Sequence, residues 1–420
     1  MSPVAQIPAV NRWSLAATVA GNALEFYDFL TYSTFAVYIG HNFFPAANAF
    51  ANLLLSLATF GVGFVTRPLG AVLIGAYADR AGRRPALLLT IGLMTVGTLG
   101  LIVTPSYTVI GLAAPVVLIL ARLVQGLALG GEVGASTAVL LECAPAGQRG
   151  RFVSWQGASQ GIAILAAGLV GFGLSTILTA AQLDSWGWRI PFALGLAIVP
   201  VGIYIRRRLP ETLAAPGSRG SSEVLGLLWL RHRRLLVLAV LTLMSLTVST
   251  YVTNFMTTYA LTTLEMPASR ALLATIANGA LLLMASVWSG RLCDRFGCRR
   301  TMIVPRLMLV LSVYPAFLLL LRHPNIGVLI FVTALVTALG ALSGAAVLTA
   351  LTGAFPHEVR SSGLAIAYAM AVSVFGGTTQ FVVAWLIGTT GDRLSPAYYV
   401  ILTSSIGLWA MFKLPATTRD

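Results

Sequence analysis

The sequence predicts an all-α integral membrane protein built as two similar halves, each a bundle of six membrane-spanning helices. Three observations predict it. Hydrophobic residues make up 57% of the 420 positions and charged residues only 10%, whereas soluble globular chains carry about 25% charged residues; mean hydropathy is +0.86. Long apolar runs follow one another through the chain, each near the roughly 20 residues that a helix needs to cross the hydrocarbon core of a bilayer. Finally, one loop is written twice: Gly75-Ala76-Tyr77-Ala78-Asp79-Arg80-Ala81-Gly82-Arg83-Arg84 returns as Gly290-Arg291-Leu292-Cys293-Asp294-Arg295-Phe296-Gly297-Cys298-Arg299-Arg300. In both copies a Gly lets two helices approach, an acid can cap a helix end, and arginines hold a short loop at an anionic, water-exposed surface. A single charged turn says little, but the same turn at the same place in each half marks a duplication.

Taken in order, the predicted spans are 14–39, 50–77, 85–104, 108–138, 151–180, 189–206, 235–262, 270–292, 301–321, 325–353, 361–388 and 396–413. The first carries Glu25 and Asp28, so it reads as a retained helix and not a cleavable leader. The second ends in the first copy of the repeated loop, and the eighth ends in the second copy. The fourth is followed by Pro145-Ala146-Gly147-Gln148-Arg149-Gly150, echoed after the tenth by Pro356-His357-Glu358-Val359-Arg360-Ser361. Leu209-Pro210-Glu211-Thr212 closes the first half as Leu414-Pro415-Ala416-Thr417 closes the second. Domain boundaries follow: an N-terminal bundle over 1–206, a polar linker over 207–234 and a C-terminal bundle over 235–420.

The net charge of +14 does not point to nucleic acid, because basic residues collect on cytoplasmic loops of membrane proteins. Here Arg80, Arg83, Arg84, Arg149, Arg151, Arg206 to Arg208, Arg231, Arg233, Arg234, Arg291, Arg295, Arg299, Arg300, Arg306 and Lys413 fall on one side with most of the other bases. Only Arg189, Arg270, Arg322 and Arg393 fall opposite. Both termini are therefore expected in the cytoplasm. Cys143, Cys293 and Cys298 lack metal-ligand spacing and are expected as reduced thiols on the same side.

Charges inside a span are costly and mark function. In the first span Asn22, Glu25, Asp28 and Tyr32 cover roughly 120° of helix surface and are expected to face one cavity. Glu25 or Asp28 is the expected proton carrier, because burial favours the protonated carboxyl while a neighbouring guanidinium favours the ionised one; the alternative is a structural ion pair with an arginine. In the fourth span Arg122 lies at mid-depth with Gln125 on its face. Its fork suits a substrate carboxylate; it could equally pair with Glu25 or Asp28. Arg67 stands between cavity and surface, where it could snorkel. Tyr251 and Asn254, in a stripe with Thr247, Thr250, Thr257 and Thr258, are expected to line the cavity from the seventh span, and Gln156 and Ser159 from the fifth. Gly75, Asp79, Arg80, Arg83, Glu132, Glu142, Gly290, Asp294, Arg295 and Glu358 are expected to form a cytoplasmic gate.

The duplicated loop resembles the signature loop of the major facilitator superfamily, with Cys298 as a departure between Gly297 and the arginine pair. Arg122-Leu123-Val124-Gln125-Gly126 resembles its fourth-helix motif, whose Arg lines the central cavity. Gly21-Asn22-Ala23-Leu24-Glu25-Phe26-Tyr27-Asp28-Phe29, His41-Asn42-Phe43-Phe44-Pro45, Gly130-Gly131-Glu132 and Trp186-Gly187-Trp188-Arg189-Ile190-Pro191-Phe192 extend the likeness to the metabolite:H⁺ symporter family, and above all to its citrate and tricarballylate members. The resemblance implies a monomer in the inner membrane of a bacterium. It implies proton-driven import of an organic anion by rocking of the two bundles about a midplane site, without a cofactor, with Na⁺ as the alternative coupling ion. An importer of a zwitterion such as proline or betaine would need more aromatic and fewer cationic contacts, for which Tyr27, Tyr32 and Tyr251 are available. Export is a further alternative. An intramembrane enzyme or sensor would need a nucleophile with its base, a metal cluster or an output domain, and His41, His232, His323 and His357 fall near span ends or in loops. A nucleotide-driven pump would need a Gly-x-x-x-x-Gly-Lys loop, which the sequence lacks.

Overall fold

The computed structural model describes residues 12–45, 48–81, 83–130, 140, 144–145, 147–207, 232–356 and 360–415. Among them the chain is helical throughout. The helices are α1 (Arg12–Thr34), α2 (Ala36–Phe43), α3 (Ala49–Val65), α4 (Arg67–Ala81), α5 (Arg83–Val103), α6 (Tyr107–Ile110), α7 (Ala113–Gly130), α8 (Arg149–Ile177), α9 (Ala180–Ser185) and α10 (Ile190–Arg207). After the expected linker, whose residues 208–231 lie outside the described set, come α11 (Arg233–Thr262), α12 (Ala268–Phe296), α13 (Cys298–Arg322), α14 (Ile326–Ala354), α15 (Arg360–Ala371), α16 (Gly377–Thr390) and α17 (Ser395–Lys413).

Eight described helices, some continuous across a bend, are long and apolar enough to cross a membrane: Ala49–Ile74, α7, α8, α11, α12, α13, α14 and Gly363–Thr390. Helical backbone also covers the predicted first, third, sixth and twelfth spans, as α1, α5, α10 and α17. Three of these spans are not single rods. The first is interrupted at Phe35, between α1 and α2, the second bends at Thr66, between α3 and α4, and a π-helical turn at Val372–Gly376 joins α15 to α16.

The halves meet along two seams. Among the described residues, α8 and α12 share the most extensive helix contact. Their backbones touch at Gly161 against Leu283 and at Gly279 against Leu165, where any Cβ would collide with the opposite main chain. In a bilayer, where lipid removes the hydrophobic drive between helices, such close approach is what holds spans together. The second seam, α3 against α16, closes at Phe64 against Gly377 and at Phe50 against Gly388.

Two expectations fail here. Arg306 does not join the basic surface: it is wholly buried on α13, with its guanidinium on α11, because α13 starts at Cys298 and carries position 306 into the bundle. Cys293 and Cys298 are bonded to each other, at an S–S distance of 2.04 Å, joining the end of α12 to the start of α13 across the Gly297 turn. Cys143 lies outside the described residues.

Candidate functional site

The expectation that α1 turns one polar face to one cavity is corrected by the structure, because four neighbouring helices divide that arc. Asn22 turns to α8, donating to Ser159 Oγ at 2.5 Å and accepting from Gln156 Nε2 at 3.2 Å. Glu25 and Asp28 turn to α5 and α10. Thr90 donates to Glu25 Oε1 at 3.4 Å and Thr98 to Asp28 Oδ2 at 2.9 Å. Both carboxylates line a small cavity of about 30 Å³, shared with Gly21, Leu24, Ile91, Met94, Gly195 and Val199. Gly195 on α10 is required there, because a Cβ would strike Asp28 Oδ1. Tyr32 turns to α3, donating to the Ser56 carbonyl at 3.2 Å.

A larger cavity of about 80 Å³ lies between the halves. Phe26, Leu30, Gln156 and Gln160 line it from one half, and Thr247, Thr250, Tyr251, Asn254 and Tyr368 from the other. Gln156, Tyr251 and Asn254, expected to line a cavity, are among the residues that line this one, while Ser159 is not. Asn254 is held by a chain across the C-terminal half: Asn278 donates to Asn254 Oδ1 and Thr337 to Asn278 Oδ1, both at 2.8 Å.

The two arginines sit behind the Tyr251 wall of this cavity. Arg67 is buried and does not snorkel to the surface, and it lines neither cavity directly. Its guanidinium carbon lies 4.0 Å from the Phe64 ring centre and 4.5 Å from that of Phe29, and the Tyr251 ring packs edge-on against Phe64 beside it. Arg122 is 0% exposed and lies 4.4 Å from Phe29, 4.5 Å from Tyr32 and 5.2 Å from Phe60. Neither makes an ion pair: the one pair among the described residues is His41 with Asp184, at 3.1 Å. The direct Arg122–carboxylate pair considered from the sequence is thus absent. Nε and Nη2 of both arginines lack hydrogen-bond partners. A desolvated cation–π contact contributes about 2 kcal/mol, less than the several kcal/mol that burying an ion costs, so this aromatic cage is left short of negative charge.

A hydrogen-bond relay joins the two compartments. Arg122 Nη1 donates to Gln125 Oε1 at 2.8 Å, Gln125 Nε2 to Thr98 Oγ1 at 2.9 Å, and Thr98 Oγ1 to Asp28 Oδ2. Its direction is fixed at both ends. A guanidinium only donates, so Gln125 must present its oxygen to Arg122 and its NH2 to Thr98, which leaves the Thr98 proton for the carboxylate. Thr98 and Thr90, which sequence reasoning passed over, are the key additions. Their one signal is that they are two of the four threonines on an otherwise apolar span, with Thr95 and Thr104, and Thr in a helix commonly bonds only its own backbone. Phe29, Phe60 and Phe64 were equally silent, since aromatics at helical spacing read as core.

Of the expected gate, Glu132, Glu142 and Glu358 lie outside the described residues, and of Gly75, Asp79, Arg80 and Arg83 only the helical backbone of α4 and α5 is described. The second copy is described. Asp294 accepts from Gly150 N at 2.8 Å and Arg151 N at 3.1 Å, capping α8 across the seam between halves, so the acid finds a helix N-terminus and not an arginine side chain. A Cβ at Gly290 would meet Gly150 O at 2.5 Å. Arg295 stacks on Phe296 at 5.2 Å and takes no part in this contact. Charge-assisted bonds of this kind contribute about 1.5–3 kcal/mol. Asp294→Asn is therefore expected to raise the population with α8 and α12 parted at this end by roughly tenfold or more, read as a longer spin-label distance between the two helix ends. An unchanged distance distribution would remove Asp294 from the latch.

Comparison with known proteins agrees with this architecture. The family model described as Major Facilitator Superfamily matches residues 18–378. The chain is 35% identical over 400 residues to a citrate-proton symporter of Klebsiella pneumoniae, covering 94% of this chain and 90% of that protein. It is 33% identical over 415 residues to a proline/betaine transporter of Salmonella typhimurium, covering 94% and 82% respectively. Among solved structures, a D-xylose-proton symporter superposes with a TM-score of 0.78 at 21% identity, covering 97% of this chain and 99% of that one.

Proposed function

Because this chain belongs to the Major Facilitator Superfamily, a family of membrane transporters and not of enzymes, we propose that it imports a small organic anion with two or three carboxylates, citrate or a close relative, together with protons. In this reading it works as twelve spans in two six-helix bundles, 1–206 and 235–420, with both termini in the cytoplasm of a bacterium and no cofactor. The observation that carries the reading is the pair of buried guanidiniums, Arg67 and Arg122, with four unpartnered donor nitrogens and, among the described residues, no carboxylate in direct contact with either. A di- or tricarboxylate supplies that missing charge in the bidentate geometry a guanidinium favours.

The relay gives the coupling. Ionised Asp28 pulls on Thr98, which polarises Gln125 and holds Arg122 Nη1 away from the cavity. Protonation of Asp28, from the small cavity on the far side of α1, slackens the relay and frees the whole fork for substrate. Proton and substrate thus reach the site from opposite faces of one helix. Tyr251, packed with Arg67 on Phe64 and lining the central cavity, is the lid that the substrate must displace, and parting of α8 from α12 at Asp294 opens the site to the cytoplasm.

The aromatic cage also favours a second reading, a zwitterion whose ammonium would lie on Tyr32 or Tyr251, with the likeness to a proline/betaine transporter in its support. Uptake of labelled citrate into proteoliposomes under an inward proton gradient separates the two. Citrate accumulation insensitive to a hundredfold excess of proline or betaine supports the anion; accumulation of proline or betaine with no citrate uptake overturns it.

A further inference from the structure

The C-terminal half buries a cation that the transport site does not use. Arg306 on α13 is 0% exposed. Its Nη1 donates to the Ser245 carbonyl at 3.1 Å and to Ser249 Oγ at 2.6 Å, both on α11, while Nε and Nη2 donate to nothing. Ser245 and Ser249 lie on the opposite face of α11 from Thr247, Thr250, Tyr251 and Asn254, which line the central cavity. Arg306 therefore sits behind the cavity wall. There Ser245 packs on Gly407 of α17, closing the seam of α11, α13 and α17.

No charge among the described residues balances it. α14 carries no charged residue. The other charges on the surrounding helices stand at helix ends: Arg233 and Arg234 on α11, Arg299, Arg300 and Arg322 on α13, Lys413 on α17, and Arg270, Arg291, Asp294 and Arg295 on α12. All are cations except Asp294, which is committed to the N-terminus of α8. The N-terminal half is different, since its two buried arginines are matched in number by Glu25 and Asp28. Buried water could satisfy the donors of Arg306 but not its charge, and an unbalanced ion inside a bilayer protein costs several kcal/mol. Two further hydroxyls at this seam are buried without partners: Thr242 Oγ1, one turn before Ser245 on α11, and Ser404 Oγ, one turn before Gly407 on α17.

We propose that Arg306 is the centre of a site for a small monovalent inorganic anion of the halide type, held by its free Nε and Nη2 with the hydroxyls of Thr242 and Ser404. Complete enclosure restricts the site to a compact ion and excludes the carboxylate substrate. Occupancy bears on transport because the anion braces the back of the helix whose front lines the cavity.

The test is thermal unfolding of the purified full-length protein in sodium gluconate, chloride and bromide at equal ionic strength. The wild type is expected to gain about 2–5 °C in Tm, saturably, in chloride and bromide over gluconate. Arg306→Met, which replaces the ion with an apolar side chain of similar length, is expected to fold and to lose that halide response. Equal Tm values of the wild type in all three salts, as water alone in the site would give, overturn the proposal, as does a halide response of the same size in Arg306→Met. Should Arg306→Met not fold, the double variant Thr242→Val, Ser404→Ala serves instead. A halide midpoint raised about tenfold supports the site, and an unmoved midpoint overturns it.

Discussion

Arg122→Lys is expected to lower kcat/KM for citrate by roughly 10- to 100-fold in a protein that still folds, although the charge is kept. The side chain does three things at once that an ammonium cannot. It lies flat on Phe29 and Tyr32, it donates Nη1 to Gln125, and it keeps Nε and Nη2 free for a carboxylate. Lysine presents a compact point charge on a flexible stem, so it can satisfy Gln125 or the substrate but cannot hold both in plane. Because Arg122 is fully buried, the loss also escapes the screening that weakens surface charges. The comparison is made in proteoliposomes with matched protein content, measuring initial citrate uptake over a range of concentrations. Uptake equal to wild type would take Arg122 out of the site.

Thr98→Val is expected to uncouple the proton from the substrate. Valine matches threonine in shape but removes the one hydroxyl that connects Gln125 to Asp28, leaving the Gln125 amide and Asp28 Oδ2 without their buried partners at about 1–3 kcal/mol each. The result to read is the pH dependence of substrate affinity, because a merely structural role for Thr98 would change affinity without changing its slope. In the wild type, citrate affinity is expected to rise as pH falls through the range where Asp28 takes its proton. In Thr98→Val that rise is expected to flatten by about tenfold across the same range, and Thr98→Ser is expected to restore it. A full pH response in Thr98→Val, or a flat one in Thr98→Ser, would break the relay account.

The helices were legible in the sequence because a bilayer imposes the same demand on each, a long apolar run with its backbone bonds satisfied internally. The duplicated loop was legible because two copies hold each other to a pattern. What could not be read is which neighbour a side chain meets. Asn22, Glu25, Asp28 and Tyr32 do share an arc of α1. That arc is wide enough for α3, α5, α8 and α10 each to claim part of it, and helical spacing carries no information about the neighbours. Arg306 was misplaced for the same reason. Six positions beyond Arg300 looks close to a loop, and only the packing of α13 against α11 turns the side chain inward. Thr98 was invisible because its importance comes from Gln125 and Asp28, which approach from two other helices. Tyr251, Asn254 and Gln156 were found because polar side chains in a bilayer face a cavity or each other, and theirs is the cavity between the halves.

The central claim is that citrate and protons enter together, with Asp28 as the carrier that the relay ties to Arg122. It is tested most directly by trapping a pH-sensitive dye inside proteoliposomes, adding citrate outside with no imposed gradient, and following interior pH and labelled citrate together. The account predicts citrate-dependent acidification in the wild type. It predicts that Asp28→Asn loses the acidification while still exchanging labelled citrate for citrate across the membrane. Citrate entry without acidification in the wild type, or acidification that persists in Asp28→Asn, would contradict it.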